Sequence, residues 1–148
     1  MPFVTMPHSQ RLSDLVVHEM DPSVGYSRKC VNVTPPAASA PVEVGTVVFR
    51  AKGVDPTAPY AVLSAALDIV ETNEFAVIYG DEYSFNPSFV PRAIAAGQFN
   101  AVGFVGHSGA LQLKEYYIKQ RHAALTDAQF ASLKEVLEKQ GIIVLETK

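Results

Sequence analysis

The sequence predicts an α+β fold, mainly β. A small β-rich body carries one C-terminal capped helix followed by a terminal strand, and an extended N-terminal arm precedes it. Three observations lead there. Short apolar and β-branched runs recur between glycine- and proline-rich turns, with no repeating strand–helix–strand pattern. Only residues 126–139 combine an apolar stripe at helical spacing with signals at both ends. The leading residues, broken by Pro2 and Pro7, show no usable period.

Taken in chain order, residues 1–14 read as an unpacked arm. Leu15, Val16 and Val17, followed by His18-Glu19-Met20, suit a short strand. Residues 21–26 are a turn-rich link, and residues 27–33 alternate loosely as another strand. The stretch Thr34-Pro35-Pro36-Ala37-Ala38-Ser39-Ala40-Pro41 is extended and marks the boundary between an arm, residues 1–35, and a body, residues 36–148.

In the body, a turn at Gly45 opens a buried-type strand through Val47-Val48-Phe49-Arg50. Residues 52–59 are a loop, and Tyr60-Ala61-Val62-Leu63 adds a strand. Residues 74–80 form the clearest strand of all. Residues 84–91 are an aromatic loop broken by Pro87 and Pro91, and residues 98–105 form a strand that runs into Gly106-His107-Ser108-Gly109. Residues 110–119 alternate at Leu111 and Leu113 and are read as strand, with helix as the alternative.

The C-terminal helix is specified residue by residue. Thr126 is an N-cap whose hydroxyl can accept from a free backbone N–H, and Gln129 stands where its side chain closes a capping box. Leu125 and Phe130 are placed for a hydrophobic staple. Phe130, Leu133, Val136 and Leu137 form the buried stripe, while Lys134, Glu135, Glu138 and Lys139 lie off it. Gly141 suits the left-handed position after a helix, and Ile142-Ile143-Val144 favours a strand.

Composition bounds the function. The chain has 148 residues, enough for one domain with or without an arm, and 48% of them are apolar. The net charge is −3, so no basic field invites nucleic acid. Charged residues are only 18%, which hints at a surface that meets other protein. Cys30 is the single cysteine, which excludes an intrachain disulfide and a CxxC metal site. It is read as a small buried or half-buried apolar residue. No apolar run is long enough to span a membrane, and the N-terminus has no signal-peptide pattern. The expected setting is the cytoplasm, or something assembled there.

Candidate chemistry is thin. The strand ending in Gly106-His107-Ser108-Gly109-Ala110 is similar to a nucleophile elbow with Ser108 as nucleophile. That reaction needs Ser, then an acid, then His. Here His122 precedes Asp127, so the order is broken, and a tight glycine-rich turn is the better account. The histidines His8, His18, His107 and His122 have no metal-ligand spacing and are read as surface or loop residues. Asp81-Glu82 is read as a solvated loop, and Asp68, Glu71 and Glu74 lack the spacing of a calcium loop. Phe85, Phe89, Phe99, Phe104, Tyr116 and Tyr117 fit core packing or a subunit interface better than a base-stacking platform. No catalytic residue, cofactor or metal is expected.

The order of features resembles the lambda-type head decoration (capsid cement) proteins of tailed bacteriophages. It consists of the loose leading arm, the Pro/Ala-rich entry, Val44-Gly45-Thr46-Val47-Val48, the β-rich body, and the ending with Leu137, Gln140-Gly141-Ile142 and Val144. The resemblance covers roughly residue 45 to the C-terminus. This chain is longer, in the arm and in residues 81–98.

The resemblance implies a homotrimer on the outer surface of the expanded phage head, made in the host cytoplasm. It implies the major capsid protein as partner, with neither nucleic acid nor membrane involved. In this reading the arm adds a strand to the shell. Its expected contact residues are Phe3, Val4, Leu12, Leu15, Val16 and Val17. The competing readings are a small serine hydrolase built on Ser108, and another structural head or tail subunit.

Overall fold

In the computed structural model the described residues are 12–20, 27–34, 42–81, 100–106 and 111–146. They form two sheets that share one core. A short helix α1 (Leu12–Leu15) leads directly into β1 (Val16–Glu19). β2 (Arg28–Asn32), β3 (Val47–Ala51), the two-residue β4 (Ala61–Val62), β5 (Asn73–Asp81) and β6 (Asn100–Phe104) then build a five-stranded sheet. Its order is β2-β6-β5-β3-β4, and every pairing is antiparallel. The chain next crosses to β7 (Leu111–Lys114), α2 (Glu115–Arg121), α3 (Asp127–Lys139) and β8 (Ile142–Leu145). A three-stranded sheet follows, ordered β1-β7-β8. β8 runs parallel to β7 because two helices intervene, as a parallel return requires.

Alternation along the five-stranded sheet sorts its side chains into two cores. Val47, Phe75, Val77, Tyr79, Val102 and Phe104 face the main core. That core also takes Leu111, Leu113, Ile142 and Val144 from the second sheet and the apolar stripe of α3. Val31, Val48, Ala76, Ile78 and Ala101 occupy the other face with Tyr60. The sheet is open, and among the described residues a bridge from Val33 to Tyr60 tacks its edges together. Thr34 N–H donates to Tyr60 O at 2.8 Å, and Tyr60 N–H donates to Asn32 O at 2.7 Å.

The C-terminal helix is built as its residues dictate. Thr126 Oγ1 accepts from Gln129 N–H, and Gln129 Oε1 accepts from Thr126 N–H, which completes the capping box. Gly141 ends the helix at φ 87°, and its N–H donates to Glu138 O at 2.9 Å. Among the described residues, no helix is long and apolar enough to cross a membrane.

Two expectations change. Residues 110–119 are strand only as far as Lys114; from Glu115 the chain is helical. One side chain of that turn, Ile118, is fully buried, whereas Tyr116 points outward, a spacing that suits a helix lying on the core. Glu115 is further held by Lys134 of α3 at 3.1 Å. The boundary at residue 35 also changes meaning. Leu15 is fully buried in the main core, β1 pairs with β7, and β2 pairs with β6. The described part of residues 1–35 is therefore sheet and core, continuous with the body, because its apolar side chains bury more area inside than an arm could.

Candidate functional site

A groove of about 310 Å³ opens where β6 stops short of β5. β6 ends at Phe104, opposite Val77, while β5 reaches back to Asn73. The backbone groups of Asn73 and Phe75 therefore lack a neighbouring strand on that side. The side chain of Gln140, just past α3, replaces it. Gln140 Oε1 accepts from Phe75 N–H at 2.8 Å, and Gln140 Nε2 donates to Asn73 O at 2.8 Å.

The rim of the groove carries Lys29, Tyr60 and Glu74. Arg50 pairs with Glu74 and lies over the Tyr60 ring, 4.4 Å from its centroid. Tyr60 Oη donates to Glu74 Oε1 at 3.1 Å. Burial, and then the Glu74 carboxylate, push the phenol up to about 12, so it stays neutral at physiological pH. Arg50 also donates to the carbonyls of Pro56 (3.0 Å) and Ala58 (2.9 Å), which fixes the loop after β3. These contacts organise a loop and a sheet end.

Beneath the groove lies a buried ion pair. Arg28 Nε and Nη2 donate to Glu19 Oε1 and Oε2, both at 2.9 Å, in a forked geometry. The guanidinium sits 4.8 Å from the centroid of Tyr79 and 5.9 Å from that of Phe104. This pair joins the first strand of one sheet to the first strand of the other.

The residues singled out by sequence scatter. Phe3 and Val4 lie outside the described residues, as do His107, Ser108 and Glu82. Leu12 opens α1. Leu15 is wholly buried and so belongs to the core, which withdraws it from contact with a partner. Val16 is half-buried against that core, and Val17 is 48% exposed. Gly106 is a packing glycine at φ 62°. A Cβ there would stand 2.6 Å from Ile142 Cγ1 and 2.7 Å from Gln140 O.

Three polar readings are corrected. His122 is buried, with Nε2 accepting from Val47 N–H at 2.8 Å. Asp81 ends β5 as a buried residue. Cys30 is exposed, in a strand whose buried residues are Arg28 and Val31. Asp68, Glu71 and Glu74 do not converge: Glu71 pairs with Lys139 and Glu74 with Arg50. Among the described residues, no group of three or more His, Cys, Asp or Glu is placed to hold a metal ion.

Sequence reasoning missed the Glu19–Arg28 pair, the Gln140 clamp and the burial of His122. The last two join residues 65 and 75 positions apart, and no local periodicity marks any of the three. For Arg28 alone a signal existed, since its place in an alternating strand puts it on one face of the sheet. No protein-family model, no curated protein and no solved structure matches this chain.

Proposed function

We propose that this protein is a capsid decoration protein, which binds as a trimer to the outer surface of an expanded phage head and clamps neighbouring capsomers. The order of sequence features that resembles the lambda-type family suggests the reading. The structural observation that supports it best is the position of β1. Among the described residues this strand lies at the edge of the three-stranded sheet, with Val17 in it 48% exposed and Met20 just after it 46% exposed. An edge strand offers unpaired backbone to an extended segment of another chain. Three such edges in a trimer engage together and gain from effective concentration.

The test is co-sedimentation with expanded and unexpanded shells. The intact chain should pellet with expanded shells and be present in hundreds of copies per particle. A chain lacking residues 2–11 should bind far more weakly. Equal binding by the shortened chain would remove the leading residues from the mechanism, and equal binding by a Val17→Lys, Met20→Lys variant would remove the β1 edge. A stoichiometry of about a dozen or fewer would point instead to a head-completion or tail subunit.

A further inference from the structure

His122 occupies an unusual place in the five-stranded sheet. Leu63 N–H donates to Val47 O at 3.0 Å, which is one half of the reciprocal pair of bonds expected between facing residues of antiparallel strands. The other half is not made directly. Val47 N–H donates instead to His122 Nε2 at 2.8 Å. The imidazole thus accepts from a strand donor that a facing strand would otherwise take. This arrangement requires the neutral ring, with Nδ1 protonated and Nε2 free to accept. His122 also closes α2, its own N–H donating to Ile118 O at 3.1 Å.

The ring is buried, and its pKa is lowered from 6.5 to about 4, chiefly by desolvation and with the Leu63 backbone acting in the opposite sense. The charged groups on the elements around it are engaged elsewhere. Arg121 of α2 pairs with Glu43 at 2.5 Å and donates to Val44 O at 3.2 Å. Lys119 of α2 pairs with Asp127 of α3, and Glu115 of α2 pairs with Lys134 of α3. Asp14 of α1 bears on Tyr117. On β3, Arg50 is held by Glu74.

We propose that His122 is an acid-sensitive latch: protonation of Nε2 removes the acceptor for Val47 N–H and frees the start of β3 and the end of β4 from α2 before the rest of the fold opens. An imidazolium presents an N–H where the strand also presents one. The local pairing then loses its bridge, while α3, capped by its own side chains and packed on β8, keeps its structure.

Amide hydrogen exchange of the full chain, followed from about pH 7 to about pH 4.5 and expressed as protection factors, tests this. The amides of Val47 and Leu63 should lose protection about tenfold or more, a change equivalent to at least one pKa unit, while Leu133 and Leu137 keep theirs. His122→Gln, whose neutral amide both accepts and donates, should abolish that selective loss. Uniform loss across β3 and α3, or a selective loss that persists in His122→Gln, overturns the latch. If the variant does not fold, nitrogen NMR of the wild-type ring decides. The neutral tautomer with Nδ1 protonated should persist well below the ordinary value of 6.5 and titrate near about 4, and titration near 6.5 with Val47 still protected overturns the proposal.

Discussion

Gln140 completes the backbone edge of β5 at Phe75, a residue 65 positions earlier in the chain. One side-chain amide there does what a neighbouring strand does elsewhere, accepting from Phe75 and donating to Asn73. Gln140→Ala should therefore destabilise the fold by about 2–3 kcal/mol, since it leaves a donor and an acceptor of a half-buried edge unmet. Gln140→Glu keeps the acceptor but loses the donor, and should fall between the two. Urea unfolding followed by circular dichroism measures both, with an unchanged m-value as the sign that the states compared are the same.

The Glu19–Arg28 pair predicts a different pattern. Removing one partner, as in Glu19→Ala, leaves a desolvated guanidinium and should cost about 3–5 kcal/mol. Replacing both together, as in Glu19→Leu with Arg28→Met, should cost clearly less than the sum of the single changes. A double-mutant cycle on urea stabilities reads the coupling directly. Strict additivity would show that the pair contributes nothing as a pair.

Gly106→Ala should be among the most damaging single-methyl additions in the chain. It places a side chain at φ 62° and drives it into Ile142, Gln140 and Gly141. Left-handed strain and overpacking together should cost about 2–5 kcal/mol. Thermal unfolding measures this, and a loss below that range would mean that the corner at Gly141 yields easily.

Global stability should fall as pH drops below neutrality, with His122 as one identifiable source. Its folded pKa, about 4, lies below its ordinary value of 6.5, so the unfolded chain binds the proton more readily between these values. The contribution is fully present above the ordinary value. It is lost progressively as pH falls toward about 4, below which both states carry the proton. The loss amounts to on the order of 3 kcal/mol. Urea midpoints measured across this range, compared with those of His122→Gln, isolate the histidine from the carboxylates.

The parts of the fold legible in the sequence are those that neighbouring residues determine. Thr126, Gln129 and Gly141 act within a few positions of themselves, so α3 and its ends could be read directly. The strands at residues 47–51, 73–81 and 100–104 were legible because alternation or β-branched density marks them. α2 was not, since Tyr116, Tyr117 and Ile118 favour strand locally and only packing on the core selects helix.

The candidate site was less legible still. Leu15 reads equally well as a contact residue or a core residue until β1 is paired with β7. His122 reads as an ordinary surface histidine until Val47, 75 positions away, is placed against it.

The bridge between Val33 and Tyr60 and the small residues across from it are two views of one constraint. A Cβ at Gly103 would stand 3.2 Å from Ala76 Cβ and Val31 Cγ2, so those neighbours would have to give way. Any bulkier side chain at Gly103, Ala76 or Ala101 would have to prise the seam apart to make room. The smallest residues of β5 and β6 thus set how closely that face can pack, and the bridge at Tyr60 is where a misfit would first show.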